Sequence, residues 1–188
     1  IMIVHIYGYA CDMNAIMKIA KKHNLKVIED AAESHGAVIN GKKCGTFGDI
    51  SIFSFYANKI ITSGEGGAVV TNNNELAEKC RYYKNLCFKI DGPRDFQHLD
   101  IGYNYRMSNF LAALLCAQLE KIDYYIERRN SNFNDFKNYF SSSDFSQFFS
   151  FPKPETDSFN VAWVNIIKLE NTDIKINDLR EELMKVGI

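Results

Sequence analysis

The amino-acid sequence predicts an α/β fold with a largely parallel sheet. An amphipathic helix near the N-terminus is followed at once by a short apolar strand, and further short apolar strands alternate with glycine-rich loops. The composition is that of a globular protein, because 46% of the 188 residues are hydrophobic and 24% are charged. The 22 Lys and Arg residues nearly balance the 23 Asp and Glu residues, and the net charge of −1 disfavours nucleic acid and anionic membranes as partners.

The first half of the chain carries the clearest strand signals. Asp12 has the position of a helix N-cap, apolar residues recur at helical spacing as far as Ala20, and Asn24 is suited to end this helix in a left-handed conformation. Strands are then predicted over 25–28, 49–55 and 68–71, with a Gly-Glu-Gly-Gly turn at 64–67 before the last of them.

The second half is predicted to be mostly helical. A helix over 71–85 is capped by Thr71 or Asn74, and after a long polar segment at 86–107 Ser108 caps one long helix or a kinked pair that extends to about 140. Residues 141–160 indicate a linker, followed by a strand over 161–169 and a helix that starts at Asn177 or Asp178 and ends at Val186. We expect a change of domain near 120–140.

Cysteine spacing and the chain ends add two expectations. The five cysteines form no CxxC pair and no His lies at metal-ligand spacing, which predicts free thiols in a reducing compartment and no metal site. No stretch reaches the roughly 20 apolar residues of a membrane-spanning helix. The chain starts within a strand and stops where a further strand is expected, so we expect an interior fragment of a longer protein.

Two residues at strand ends are candidates for chemistry. Asp30 ends the first of these strands and Lys59 follows the second, and open α/β sheets bind ligands beyond the carboxyl ends of their strands. A lysine that reacts as a nucleophile must be partly desolvated, and apolar and small neighbours of Lys59 are consistent with this. Each residue alone is more commonly a turn or surface residue. His5, His35 and His98 are further candidates, and His98 lies in the long loop where substrate contact is possible.

Three runs of residues, in order, resemble the DegT/DnrJ/StrS family of sugar aminotransferases. They are IEDAAESHGA (28–37), GTFGDISIFSFYANKIITSGEGGAVVTNN (45–73) and IGYNYRMSNFLAALLCAQLE (101–120). The subgroup that makes GDP-perosamine is the most similar in these motifs. The resemblance implies dependence on pyridoxal 5′-phosphate (PLP) and fold type I of PLP-dependent transferases, the aspartate aminotransferase-like fold. It implies that 1–120 is part of the PLP-binding large domain and that 121–188 holds a long-helix connection and the start of a small C-terminal domain.

The resemblance also implies roles for five residues. Lys59 corresponds to the catalytic lysine that bonds to the cofactor, and Asp30 to the carboxylate that pairs with its pyridine nitrogen. Glu33 stands where relatives have Gln or Glu against the cofactor ring, although an ionised carboxylate cannot donate a hydrogen bond to the ring's phenolic oxygen. Ser54 matches the hydroxyl donor to the phosphate. Asn104 resembles the residue that reaches the site of the partner subunit, with Arg106 and Asn109 as alternatives.

The implied activity is transfer of an amino group from an amino acid, with L-glutamate as the expected donor, to a nucleotide-linked keto-deoxysugar in polysaccharide or glycan biosynthesis. Lys59 favours this reaction over the sugar dehydratases of the same family, which carry His at that position. A further alternative is a catalytically incomplete fragment that acts as a dimerising or regulatory module, because the family's upstream phosphate-binding segment is not in this sequence. A cytoplasmic homodimer without metal is expected. The sugar and its nucleotide are not determined.

Overall fold

The computed structural model describes residues 1–88, 92, 96–155, 157–170 and 173–188. The chain divides into two compact units. The first consists of Ile1–Asn130 together with Pro154–Val164, and the second of Ser131–Lys153 together with Asn165–Ile188. The division after Asn130 falls inside a helix.

The secondary structure alternates between short strands and helices in the first unit. The strands there are β1 (Met2–Val4), β2 (Ile28–Asp30), β3 (Val38–Ile39), β4 (Lys42–Lys43), β5 (Ile50–Ser54), β6 (Gly67–Val70) and β8 (Ser158–Phe159). The helices are α1 (Met13–Lys22), α2 (Asn74–Lys84), α3 (Asn109–Leu119) and the first part of α4 (Ile122–Ser142), with a 3-10 turn at Ile6–Gly8.

The main sheet has four strands in the order β1-β2-β5-β6. The first three run parallel, and Asp30 at the end of β2 is in register with Val4 on one side and Ile52 on the other. Strand β6 returns antiparallel to β5. A second sheet of order β4-β3-β8 is antiparallel. The parallel strands therefore bring their carboxyl ends to one edge of the main sheet.

The apolar core of the first unit forms between α1 and the strands. Met13 and Ala20 of α1 are buried with Val27, Ile39 and Val161. Complete burial of a side chain the size of Met13 contributes about 1.5–3 kcal/mol. Because Val161 belongs to this core, residues predicted to be a linker and strand return to the first unit and are anchored there.

The second unit has a small antiparallel pair and a terminal helix. Strands β7 (Phe149–Ser150) and β9 (Lys168–Leu169) pair antiparallel, and a 3-10 turn at Asp144–Gln147 precedes β7. The last part of α4 and helix α5 (Ile176–Lys185) also belong to this unit. Aromatic rings on α4 meet rings of the β7 region edge to face, as in Phe133 with Phe151 at a centroid distance of 5.9 Å.

Several local predictions are confirmed by this structure. The Asp12 carboxylate accepts a hydrogen bond from the Ala15 amide at 3.0 Å, and Ser108 accepts one from the Leu111 amide at 3.4 Å. Asn24 has φ 49°, the left-handed conformation predicted for the end of α1. The kinked-pair alternative is also correct, since α3 ends at Leu119 and α4 begins at Ile122.

Other local predictions are wrong. Strand β2 begins at Ile28, because the Val27 amide is bound instead by the Asp49 side chain at 2.9 Å. The N-cap of α2 is Asn73, and α5 begins without a side-chain cap. Of the strand predicted over 161–169, only Lys168–Leu169 is a strand. Within the long segment predicted over 86–107, residues 89–91 and 93–95 lie outside the described residues.

Candidate active site

Two predicted site residues end neighbouring parallel strands. Asp30 is the last residue of β2 and Ser54 the last of β5, so both lie at the carboxyl edge of the sheet. Asp30 Oδ1 accepts a hydrogen bond from the Ala32 amide at 3.0 Å, and within the described part of the chain Oδ2 has no hydrogen-bond partner. The Ser54 hydroxyl accepts from the Tyr56 amide at 3.3 Å. A carboxylate oxygen and a hydroxyl hydrogen therefore remain available to a ligand at this edge.

Lys59 lies in the turn that follows β5, and its amine is largely enclosed. The side chain of Lys59 is only 10% exposed, and its Nζ lies 3.7 Å from Glu33 Oε1. On another side the same Nζ lies 3.8 Å from the centroid of the Trp163 ring. A primary amine with so little water around it is suited to act as a nucleophile or as a proton carrier once it is deprotonated.

The two oxygens of the Glu33 carboxyl group face different nitrogen atoms in this structure. Glu33 Oε2 accepts a hydrogen bond from the Tyr7 amide at 2.6 Å, while Oε1 faces the Lys59 amine. Both oxygens thus face donors, which is the arrangement of an ionised carboxylate. Glu33 therefore accepts a hydrogen bond from the Tyr7 amide and lies beside the Lys59 amine.

A buried histidine lies behind this group. His35 is 3% exposed, and neither ring nitrogen has a hydrogen-bond partner among the described residues. Its ring lies between Phe53 and Phe55, at centroid distances of 5.3 and 5.9 Å. Burial, with a smaller contribution from the positive charge of Lys59, lowers the pKa of His35 to about 4, against an opposing and smaller effect of the nearby Ser54 backbone. The imidazole is therefore neutral near pH 7.

The acidic residue before Asp30 has a structural role that the sequence analysis missed. Glu29 is completely buried and accepts hydrogen bonds from the amides of Gly45, Phe47 and Gly48 at 2.6–2.7 Å, while His5 Nε2 lies 3.1 Å away. Burial by itself would raise the pKa of Glu29, but these hydrogen bonds outweigh it and lower the pKa. Glu29 thereby holds the loop that leads into β5. Strand alternation was the available signal, since adjacent residues of β2 point to opposite faces.

The glycine turn after Lys59 is required by close packing. Gly66 has φ +114°, and a Cβ atom there would lie 2.5 Å from Met107 Cε. A Cβ atom on Gly67 would lie 2.7 Å from the Phe53 carbonyl oxygen. Glycine is therefore required at 66 by the left-handed backbone, since the flexible end of Met107 could move aside, and at 67 by the close approach of the β5 backbone.

The structure places Asn104 and one of its alternatives, Arg106, in a different groove. Asn104 pairs with Asn85 in an antiparallel bridge, and its Oδ1 accepts a hydrogen bond from Arg106 Nε at 3.4 Å. Asn104 and Arg106 line a wide groove beside β6 and α2, and Lys59 is not among the residues that line it. Asn109 is exposed at the start of α3. His98 is also exposed, and its Nδ1 lies 2.6 Å from the Leu86 carbonyl oxygen.

The described side chains are an enclosed amine with one carboxylate beside it, and a carboxylate and a hydroxyl that end neighbouring strands. Among the residues that the structure describes, no group of three or more His, Cys, Asp or Glu side chains could hold a metal ion. Within the same residues, no helix is long and apolar enough to cross a membrane. An enclosed amine of this kind can react covalently with a carbonyl compound, and the neighbouring carboxylates can bind positive charge.

Comparison with proteins of known sequence finds aminotransferases. The chain is 43% identical over 183 residues to the GDP-perosamine synthase of Escherichia coli O157:H7, covering 97% of this chain and 48% of that protein. It is 49% identical over 129 residues to the GDP-perosamine synthase of Caulobacter vibrioides, covering 69% of this chain and 34% of that protein. The chain thus spans at most about half the length of these relatives.

Solved structures lead to the same group of proteins. The Helicobacter pylori aminotransferase PseC, involved in the biosynthesis of pseudoaminic acid, superposes with a TM-score of 0.89 at 28% identity, covering 100% of this chain and 50% of that one. DesV of S. venezuelae, solved with a ketimine intermediate, gives a TM-score of 0.83 at 31% identity, covering 100% of this chain and 48% of that one. The predicted fold, type I of the PLP-dependent transferases, is confirmed by these neighbours, and the chain forms part of it.

The family profile of the DegT/DnrJ/EryC1/StrS aminotransferases matches residues 1–188. The aminotransferases of this family are PLP-dependent. The family predicted from the three runs of residues is therefore confirmed. From the strand-end residues, the shared fold and this match, we conclude that the chain belongs to the DegT/DnrJ/EryC1/StrS aminotransferase family.

Proposed function

We propose that the protein containing this chain transfers an amino group from an amino acid, with L-glutamate as donor, to a nucleotide-linked keto-deoxysugar. The observation that carries the proposal is the enclosed amine of Lys59, held 3.7 Å from Glu33 beyond the carboxyl ends of the parallel strands. Lysine is the residue type that an aminotransferase needs at this position, because its amine can bond to an aldehyde and then carry a proton.

The residues at the sheet edge fit PLP. The Lys59 amine would bond to the cofactor aldehyde, and Asp30 Oδ2, which has no partner among the described residues, would accept a hydrogen bond from the protonated pyridine nitrogen. The Ser54 hydroxyl would donate to the phosphate and Glu33 would lie against the ring, with Asn104 completing a partner site. When bound, PLP supplies an electron sink for the carbanion formed at the substrate carbon. A carboxylate such as that of Asp30 favours the withdrawal of electrons into the ring, because it stabilises positive charge on the ring nitrogen.

Proton transfer falls to Lys59. As a free amine it can remove the proton from the α-carbon of the amino donor and return a proton to the adjacent reacting carbon. Glu33 orients this amine through its Oε1, and the neutral ring of His35 adds no positive charge behind it. Enclosure of Lys59 excludes bulk water, which limits loss of the proton to solvent.

The relatives support the proposed substrate class. Two similar proteins are GDP-perosamine synthases, and another, 42% identical over 130 residues, is the dTDP-3-amino-3,6-dideoxy-alpha-D-galactopyranose transaminase of Aneurinibacillus thermoaerophilus. Each of these names specifies an amino sugar that is linked to a nucleotide. We place the product of this protein in cell-surface polysaccharide or glycan biosynthesis, and perosamine is the amino sugar that the two synthases favour.

We also propose a cytoplasmic homodimer. Helix α3 supports the dimer, because it is apolar yet has no buried residue, and Phe110 on it is 80% exposed. A surface of this kind is typical of an interaction site. The cytoplasmic location is supported by five free cysteines, since thiols persist in reducing compartments.

The test compares Lys59→Ala with the exposed control Lys43→Ala. We expect Lys59→Ala to lose the visible absorbance of lysine-bound PLP and all turnover, whereas Lys43→Ala keeps both. Turnover is measured as transfer of ¹⁵N from labelled glutamate into a keto-sugar nucleotide, detected by mass spectrometry, which also separates amination from dehydration. Retained absorbance and turnover in Lys59→Ala would contradict the proposal.

A further inference from the structure

We propose that Trp163 is a positioning residue that, together with Glu33, holds the protonated amine of Lys59 in place for return of the proton once the amine is no longer bonded to the cofactor. The inference deepens the proposed function and rests on it. Trp163 is distant from Lys59 in sequence, and its indole ring reaches the amine only because residues 154–164 return to the first unit.

The contact between the two side chains has the geometry of a cation–π interaction. Lys59 Nζ lies 3.8 Å from the centroid of the Trp163 ring, well within the roughly 6 Å at which such contacts are effective. The lysine side chain is 10% exposed, so the attraction is weakly screened by water. Glu33 Oε1, at 3.7 Å, supplies a second contact to the same nitrogen. Two groups of different chemistry thus converge on the reactive amine.

Trp163 is held firmly by hydrogen bonds at both its ring and its backbone. Its Nε1 donates to the carbonyl oxygen of Asn58, the residue next to Lys59, at 2.9 Å. Its own carbonyl accepts from Arg129 Nη1 at 2.8 Å, and the amide of the preceding Ala162 donates to Asn130 Oδ1 at 2.8 Å. The hydrogen bond to the Asn58 carbonyl ties the indole ring to the turn that carries Lys59.

Tyr7 connects the two contacts of the amine. Its ring stacks on Trp163 with a centroid distance of 6.4 Å and an interplanar angle of 15°. Its amide donates to Glu33 Oε2 at 2.6 Å. Tyr7 does so from a left-handed backbone conformation with φ 58°, which is unfavourable for a residue with a side chain and is retained where surrounding contacts impose it. The strained residue therefore orients both the aromatic ring and the carboxylate that hold Lys59.

The arrangement matters because Lys59 has to alternate between bonded and free states in the proposed reaction. A free lysine side chain has many rotamers, and ordering it costs free energy at each release. The Trp163 face and the Glu33 carboxylate define one resting position for the released amine. Prior ordering of a catalytic group lowers the barrier to the following step.

The first test measures how fast Lys59 captures PLP. The chain is mixed with PLP, trapped with borohydride at successive times, and the labelled lysine is located by mass spectrometry. Because the indole face favours the protonated amine, which does not attack an aldehyde, we expect capture at Lys59 to be about tenfold faster in Trp163→Leu. We expect it to be about threefold faster in Trp163→Phe, which keeps an aromatic face but loses the Nε1 hydrogen bond. Tyr124→Leu, at an exposed aromatic on α4, is the matched control and should capture at the wild-type rate.

The second test uses the emission of Trp163, the single tryptophan of the sequence. An ammonium group against an indole ring quenches its fluorescence. We therefore expect emission to rise in Lys59→Met and to stay unchanged in Lys43→Met. This measurement keeps Trp163 in place, so it remains decisive if Trp163→Leu fails to fold.

The outcomes distinguish this inference from the proposed function. Two results would overturn the role of Trp163 and leave the proposed function standing. One is labelling at Lys59 with equal rates in wild type and Trp163→Leu, and the other is unchanged emission in Lys59→Met. Labelling of other lysines in place of Lys59 in the wild type overturns the proposed function itself, and the role of Trp163 with it. Faster capture in Trp163→Leu at an unchanged unfolding midpoint, with a smaller increase in Trp163→Phe, supports the inference.

Discussion

Replacement of His35 by Leu should remove a large part of the pH dependence of stability in this protein. His35 is buried with both ring nitrogens unpartnered among the described residues, and its pKa in the folded state is about 4. In the unfolded chain the pKa of a histidine is about 6.5. Between these two values the unfolded state binds a proton that the folded state does not, so the free energy of unfolding decreases as the pH falls.

The size of the effect follows from the two pKa values. Above about pH 6.5, the neutral imidazole of His35 makes its full contribution to the free energy of unfolding. This contribution is smaller by about 2 kcal/mol at pH 5, and by about 3 kcal/mol once the pH is below the folded pKa of about 4. Leu fills a similar volume between Phe53 and Phe55 and cannot titrate. The difference in unfolding free energy between His35→Leu and wild type should therefore grow by about 2 kcal/mol from pH 7.5 to pH 5.

The assay is urea unfolding at half-unit pH steps between 7.5 and 5, followed by circular dichroism. Carboxylates such as Glu29 titrate in both proteins, so their contribution cancels in the difference. The exposed His23→Leu is the matched control, for which the difference from wild type should change little over this range. If the His35→Leu difference stays constant between pH 7.5 and 5, the reasoning about a neutral buried imidazole is refuted.

Two further predictions concern stability at neutral pH. Glu29→Gln should lower the free energy of unfolding by about 3–5 kcal/mol in urea unfolding, because it replaces a buried carboxylate that accepts three backbone amides, whereas the exposed Glu78→Gln should cost less than about 1 kcal/mol. Gly8→Ala should lower the thermal midpoint much more than Gly41→Ala, because a Cβ atom at Gly8 would lie 1.9 Å from the Val161 carbonyl oxygen while one at Gly41 meets nothing within 4 Å. Equal midpoints in the two glycine variants would contradict the close packing of Gly8 on Val161.

The features that sequence analysis predicted well are those encoded by neighbouring residues. Asp12 and Ser108 each cap the helix that begins next to them, and Asn24 adopts the left-handed conformation beside the helix it ends. Helix capping depends on a side chain and an amide three residues apart, so a local pattern is sufficient. The family, too, was recognisable from three runs of residues in the right order, and the family profile confirms it.

The features that were missed depend on contacts between distant segments. Trp163 donates to the carbonyl of Asn58, 105 residues away, and no periodicity of the sequence connects the two. Residues 161–164 were predicted to be part of a strand because they are apolar, but Val161 is buried as a loop residue in the core of the first unit. A hydrophobic pattern indicates that such residues are buried, but it does not identify the segments against which they pack.

The sequence by itself determined the α/β class and the family, and it singled out Asp30 at a strand end and Lys59 just after a strand as candidates, because strand ends and motif residues are read along the chain. Only the tertiary structure decided how the Lys59 amine is held, by Glu33 on one side and Trp163 on another. The physical reason is that an amine is oriented by whatever charge and aromatic surface surround it in space. Those surroundings come from segments that only folding brings together.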